Sequence, residues 1–216
     1  MRCLLAVATL SMLTSAPAPA LAGRVAIEVV DPAGKPIPDA VVTLAPNPGT
    51  PTRTPAAETR YVDQKDETFI PYVTALRVGD SVVFRNSDIT RHHVYSFSAL
   101  EKFEYMLAPG ESSTPLVMKN AGNAAVGCNI HDYMLTYLYV TKDQEMAVTD
   151  AKGRASIDGV AAGQYKAHAW HPQLRPGVTL PIQGVTVAEG TGATVRFVLA
   201  LLPNPRGPMD REHIGY

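Results

Sequence analysis

The sequence predicts an all-β fold of the sandwich type. Three observations carry this expectation. Short runs of strand length, apolar or alternating, recur along the chain with no fixed repeat and no heptad. Turns containing Gly or Pro separate them, among them Asp31-Pro32-Ala33-Gly34, Val78-Gly79-Asp80 and Pro109-Gly110-Glu111. Proline is enriched, at 18 of 216 residues, which disfavours long helices.

Residues 24–30 read as a strand because Val25, Ile27 and Val29 alternate with polar or small residues. Residues 40–44 follow after a Pro/Gly turn, and residues 46–55 form a Pro/Thr-rich extended connection. The segments 69–72, 74–78 and 81–84 are short and apolar or alternating. Residues 93–97, 103–107, 113–118, 124–128 and 137–140 continue the rhythm, with room for one helical turn within 99–107. Val148 to Gly153 is a hairpin signal, followed by expected strands at 155–157, 163–170, 178–182 and 193–201. Residues 203–216 read as a flexible tail, being Pro-rich and charged.

Charge narrows the function classes. Nineteen Lys and Arg face 20 Asp and Glu, a formal net charge of −1, with no basic block. Binding nucleic acid through phosphate neutralisation is therefore not expected. Phosphate-loop, Gly-x-Ser-x-Gly and His-Glu-x-x-His patterns are missing from the sequence.

The first 22 residues have the layout of an export signal. Met1-Arg2 gives a positive start, Cys3 to Leu13 is apolar, and Ala20-Leu21-Ala22 ends a stretch of small residues. Cleavage there predicts a periplasmic protein without a membrane span. It also removes Cys3 and leaves Cys128 as the single cysteine in an oxidising compartment. Such a thiol is a buried bystander, an intermolecular disulfide partner, or a reactive or metal-bound thiolate.

The neighbours of Cys128 favour the last reading. Cys128-Asn129-Ile130-His131-Asp132-Tyr133-Met134 carries a thiolate, an imidazole and a thioether within seven residues. Upstream, the stretch from Phe84 through Asn86 to His92 and His93 supplies further imidazole at a strand end. Two His, one Cys and one Met are the donors of a blue-copper electron-transfer site, where sulfur favours Cu(I) and imidazole supports Cu(II). His92 and His93 lie on opposite faces of a strand, so one of the two enters the site.

These residues resemble the cupredoxins, plastocyanin-like and amicyanin-like, over residues 59–142. The Asn86/His92 spacing resembles the family's strand-end histidine motif. Gly122 resembles the glycine opening the strand to the ligand loop, and Cys-x2-His-x2-Met resembles the short loop of amicyanin. The resemblance implies His92, Cys128 and His131 as equatorial ligands and Met134 as the weak axial one, holding one copper per chain. It departs from the family at His93, which stands where an Asn normally ties the ligand loops together. The flanking segments, Val29 to Leu44 and Thr149 to Tyr165, resemble the carboxypeptidase regulatory-like, prealbumin-type sandwich. The whole is similar to exported proteins labelled methylamine utilization proteins.

The resulting expectation is a cupredoxin Greek-key sandwich (59–142) inserted into, or packed against, a second small sandwich formed by 23–58 and 143–202. The expected function is non-enzymatic electron transfer, with redox proteins docking transiently and an amine dehydrogenase as one candidate partner. The resemblance implies that electrons pass the edge of His131, within an apolar patch that includes Ile130, Tyr133 and Leu135. Copper binding or delivery without electron transfer, and a β-sandwich binding module, are the rival readings. His168, Trp170 and His171 read as strand residues rather than a second metal site, because His171 faces away from the other two and no Cys or carboxylate accompanies them.

Overall fold

The computed structural model describes residues 23–205. The expected export signal over 1–22 and most of the expected tail lie outside the described residues. Sixteen strands and no helix occupy the described chain. In order they are β1 (Gly23–Val30), β2 (Val41–Pro46), β3 (Thr59–Lys65), β4 (Thr68–Ile70), β5 (Val73–Arg77) and β6 (Ser81–Asn86). Then come β7 (His92–Ser96), β8 (Phe103–Leu107), β9 (Leu116–Val117), β10 (Gly122–Cys128) and β11 (Leu135–Thr141). The chain finishes with β12 (Glu145–Val148), β13 (Arg154–Val160), β14 (Gly163–Trp170), β15 (Ile182–Val187) and β16 (Ala193–Val198).

The strands sort into four sheets. One pair of sheets has the orders β13-β1-β16 and β12-β2-β14-β15; the other has β5-β11-β10-β7-β8 and β4-β3-β6-β9. The fold is therefore all-β, with two sandwiches, and β3 to β11 lie between the two parts of the first. Each sandwich closes over its own apolar core. In the first, Val25, Ile27 and Val29 of β1 meet Leu44 of β2, Ala167 and Ala169 of β14, and Phe197 of β16. In the second, Phe84, Leu138, Val94 and Val126 pack with Phe69, Leu76 and Met118. Period-two alternation sends these side chains inward and their neighbours out.

A third cluster joins the two sandwiches. Val41 of β2 and Trp170 of β14 pack with Val73 and Ala75 of β5, flanked by Tyr137 and Tyr139. Trp170 stacks on Tyr139 at 4.8 Å between centroids and meets Tyr137 edge-on at 6.5 Å. This contact explains two strands without alternation: Val41 to Leu44 and Val73 to Leu76 are buried at every position. Their second face is covered by the neighbouring sandwich instead of water.

Several local expectations change. β3 was not expected as a strand. Its inward positions are Val62 and the buried Gln64, whose amide donates to the Arg85 carbonyl at 2.9 Å. A polar core residue hides the apolar alternation there. The strand expected at 178–182 lies instead at Ile182–Val187, beyond Pro181, which has no N–H for a ladder. The helical turn allowed in 99–107 is replaced by β8 and a bend, where Ser98 bonds the backbone of Ala125.

Two glycines carry backbone the fold needs. Gly122 opens β10 at φ 151°, and Gly153 turns at φ 67° with the Val29 carbonyl oxygen where a Cβ would sit.

Candidate metal centre

Antiparallel pairing of β10 with β7 places Cys128 opposite Val94 and Gly127 opposite Tyr95. The last residue of β10 therefore lies beside the start of β7, where His92 enters the sandwich. Alternation along β7 buries His92, Val94 and Ser96 and turns His93 and Tyr95 outward. The third residue comes from the loop after β10. A turn closed by the Met134 N–H on the His131 carbonyl, at 3.0 Å, holds His131 above the strand end.

These elements bring three donors together. Cys128 Sγ lies 3.7 Å from His92 Nδ1 and 4.0 Å from His131 Nδ1, and all three donor atoms lie within 4.8 Å of one another. Bonds of about 2.3 Å from sulfur and about 2.0–2.1 Å from nitrogen, at tetrahedral to trigonal angles, separate such donors by about 3.6–3.8 Å. The spacing fits one first-row metal ion with little movement. It is the single His/Cys/carboxylate cluster of this kind among the described residues. Cys128 forms no disulfide and is buried, as is His92. Met134 is buried in the same apolar core as Cys128.

The far nitrogens of both imidazoles meet carboxylates. His92 Nε2 lies 2.8 Å from Asp88 Oδ2. A carboxylate accepts only, so the His92 proton sits on Nε2 and the Nδ1 lone pair faces the sulfur. His131 Nε2 lies 3.6 Å from Glu67 Oε1, an ion-pair distance, and Tyr133 donates its O–H to Glu67 Oε2.

Asp88 also fixes the β3–β4 turn. It accepts the N–H groups of Asp66 at 2.5 Å and Glu67 at 3.0 Å. Burial alone would raise the Asp88 carboxyl. Hydrogen bonds from Glu67 N–H, the His92 ring and Asp66 N–H outweigh it and hold the group below the usual carboxylate range. Asn86 supports the loop from beneath. Its amide donates to the carbonyls of Thr90 at 2.8 Å and Leu107 at 2.9 Å, while its oxygen accepts the Asp88 N–H at 3.0 Å.

The structure thus gathers His92, Cys128 and His131 and turns His93 away, with His93 Nε2 3.5 Å from Glu104. Three second-layer residues were missed in the sequence. Glu67 gives no local signal, because it comes to the site through a turn contact with Asp88, which itself lies four residues before His92 and bonds that ring directly. Tyr133, expected only as a member of the apolar patch, also donates a hydrogen bond to Glu67. The expected apolar rim differs as well. Ile130 is 49% exposed, but Tyr133 and Leu135 are only half-buried and a carboxylate faces the His131 ring edge.

No protein-family model matches the chain, and no curated protein matches it. Solved structures do. The Cu-containing nitrite reductase of Thermus scotoductus SA-01 is 25% identical over 53% of this chain, with a TM-score of 0.35, and only 28% of its own length is spanned. A purple cupredoxin from Nitrosopumilus maritimus is 17% identical over 39% of this chain and 99% of its own, with a TM-score of 0.34. An amicyanin variant in the Cu(I) state is 18% identical over 46% of this chain and 97% of its own, again with a TM-score of 0.34.

Proposed function

We propose that this chain is a single-copper protein that carries one electron at a time between redox partners. The observation behind the reading is the convergence of His92 Nδ1, Cys128 Sγ and His131 Nδ1 within 4.8 Å. Soft thiolate beside two imidazoles is a donor set for copper. Bound there, copper would supply a one-electron couple between Cu(I) and Cu(II).

The chain's own residues do the rest. Cys128 pairs with Val94 of β7 and His92 pairs with Leu107 of β8, so the backbone under both donors is held in a ladder. A frame that holds its donors still limits the rearrangement that accompanies electron transfer. Met134, buried against the Cys128 core, is the proposed axial donor. With four protein donors, no position remains for substrate, so we assign electron transfer rather than catalysis.

Residues 1–22 support export to the periplasm, and no helix of the described residues is long and apolar enough to cross a membrane. The sequence resemblance to proteins labelled methylamine utilization proteins supports an amine dehydrogenase as electron donor. In this reading the first sandwich, resembling the carboxypeptidase regulatory-like type, is the platform on which the copper sandwich is mounted.

The test is visible absorption and electron paramagnetic resonance of the Cu(II)-loaded protein. An intense thiolate-to-copper band with narrow copper hyperfine splitting, both lost in Cys128→Ser, supports the proposal. A colourless protein that binds Cu(I) tightly replaces it with copper delivery. Binding in neither state removes copper from the account.

A further inference from the structure

We infer that Asp88 and Glu67 are positioning residues, a carboxylate pair that aims both imidazoles at the metal and biases it toward its higher oxidation state. The inference rests on the copper reading above. Neither residue is itself one of the donors.

Each ring meets a carboxylate at the nitrogen remote from Cys128, through a hydrogen bond for His92 and a longer electrostatic contact for His131. Asp88 Oδ2 is 2.8 Å from His92 Nε2, and Glu67 Oε1 is 3.6 Å from His131 Nε2. A carboxylate at the remote nitrogen fixes the tautomer, sets the ring plane and raises the basicity of the coordinating nitrogen. The two grips are mechanically one. Asp88 accepts the backbone N–H of Glu67 at 3.0 Å, so the residue that orients His92 also sets the turn from which Glu67 reaches His131. Asp66 and Glu67 hold that turn at φ 51° and 53°, which aims the Glu67 side chain at the site. The Tyr133 hydroxyl fixes the other Glu67 oxygen.

The chemistry follows from charge. Two carboxylates close to the site stabilise a doubly charged ion more than a singly charged one. The pair therefore favours Cu(II) over Cu(I) and lowers the reduction potential. It also places negative charge, rather than a bare apolar edge, at the His131 ring.

The experiment compares wild type with Asp88→Asn, Glu67→Gln and the double variant, measuring Cu(II) and Cu(I) affinity and the reduction potential. Glu189→Gln, exposed on the other sandwich, is the control. Each site variant is expected to lose about 10- to 100-fold in Cu(II) affinity and less in Cu(I) affinity. A tenfold difference between the two losses appears as a rise of about 59 mV in potential. Glu67→Gln keeps an acceptor for Tyr133 and carries the test alone should Asp88→Asn fail to fold. Wild-type protein that binds copper with its thiolate band, while the variants keep its potential and affinities, overturns this inference and leaves the copper site standing. A wild type that binds no copper overturns both.

Discussion

Asn129 and His93 face each other across the start of the ligand loop: the Asn129 N–H donates to the His93 carbonyl at 3.0 Å, and its side-chain amide lies 3.5 Å from His93 Nδ1. The strands bearing Cys128 and His92 are thus joined by the residue that follows each of them. The amide that the cupredoxin pattern places after the first histidine is found here after the cysteine.

This pairing separates the two adjacent histidines by experiment. His92→Ala removes a buried donor and is expected to abolish the thiolate-to-copper band. His93→Ala leaves all three converging atoms in place, so the band persists with a small shift as the loops loosen. Visible absorption during copper titration reads both. Loss of the band in His93→Ala with its retention in His92→Ala would reverse the assignment.

His171 predicts a pH dependence of stability. It is buried, its Nδ1 accepts the Gln173 N–H at 3.1 Å, and its ring also bonds the Pro38 carbonyl. Burial lowers its pKa from 6.5 to about 4, outweighing the Pro38 bond. Between those values the unfolded chain binds the extra proton, so stability falls as pH drops from 6.5 toward 4. The loss amounts to at most about 3 kcal/mol at about 1.4 kcal/mol per unit. His171→Gln keeps donor and acceptor without titrating. Denaturant unfolding at pH 7, 5.5 and 4 is expected to show a flatter profile for this variant; parallel profiles would refute the effect.

Trp170→Ala tests the contact between the sandwiches. The side chain is 8% exposed and stacks on Tyr139. Removing it is expected to cost about 3–5 kcal/mol, as large aromatic truncations do. The Cu(II) spectrum should be unchanged, since the contact uses the outer face of β11 and the metal donors come from β7, β10 and the loop after it. Thermal unfolding and absorption on the same sample provide the check.

The sequence revealed those parts of the molecule in which one face meets water. β1, β10 and β14 bury alternate residues, and their periodicity reads directly. Val73 to Leu76 shows no alternation because the first sandwich covers its outer face. β3 escaped it because Gln64 takes a core position, its amide nitrogen donating to the Arg85 carbonyl of the neighbouring strand. The same contrast applies at the site. Cys128 and His131 are three residues apart and legible together, while strand alternation admits only one of His92 and His93 and the spacing from Asn86 favours His92. Asp88 and Glu67 are 21 residues apart and meet where the Glu67 N–H donates to the Asp88 carboxylate, a contact that no sequence spacing encodes.

The antiparallel pairing of β2 with β12 has a further consequence. Leu44 sits opposite Glu145, so everything from the Pro-rich connection to Asp143 is, topologically, the loop of one hairpin. Closing a loop costs entropy that grows only with the logarithm of its length. The host sandwich is therefore a socket whose two terminals lie on neighbouring strands. Any folded unit whose ends approach one another this closely has the geometry to plug into it, making the intervening segment exchangeable as a cassette without altering the host's own strand order.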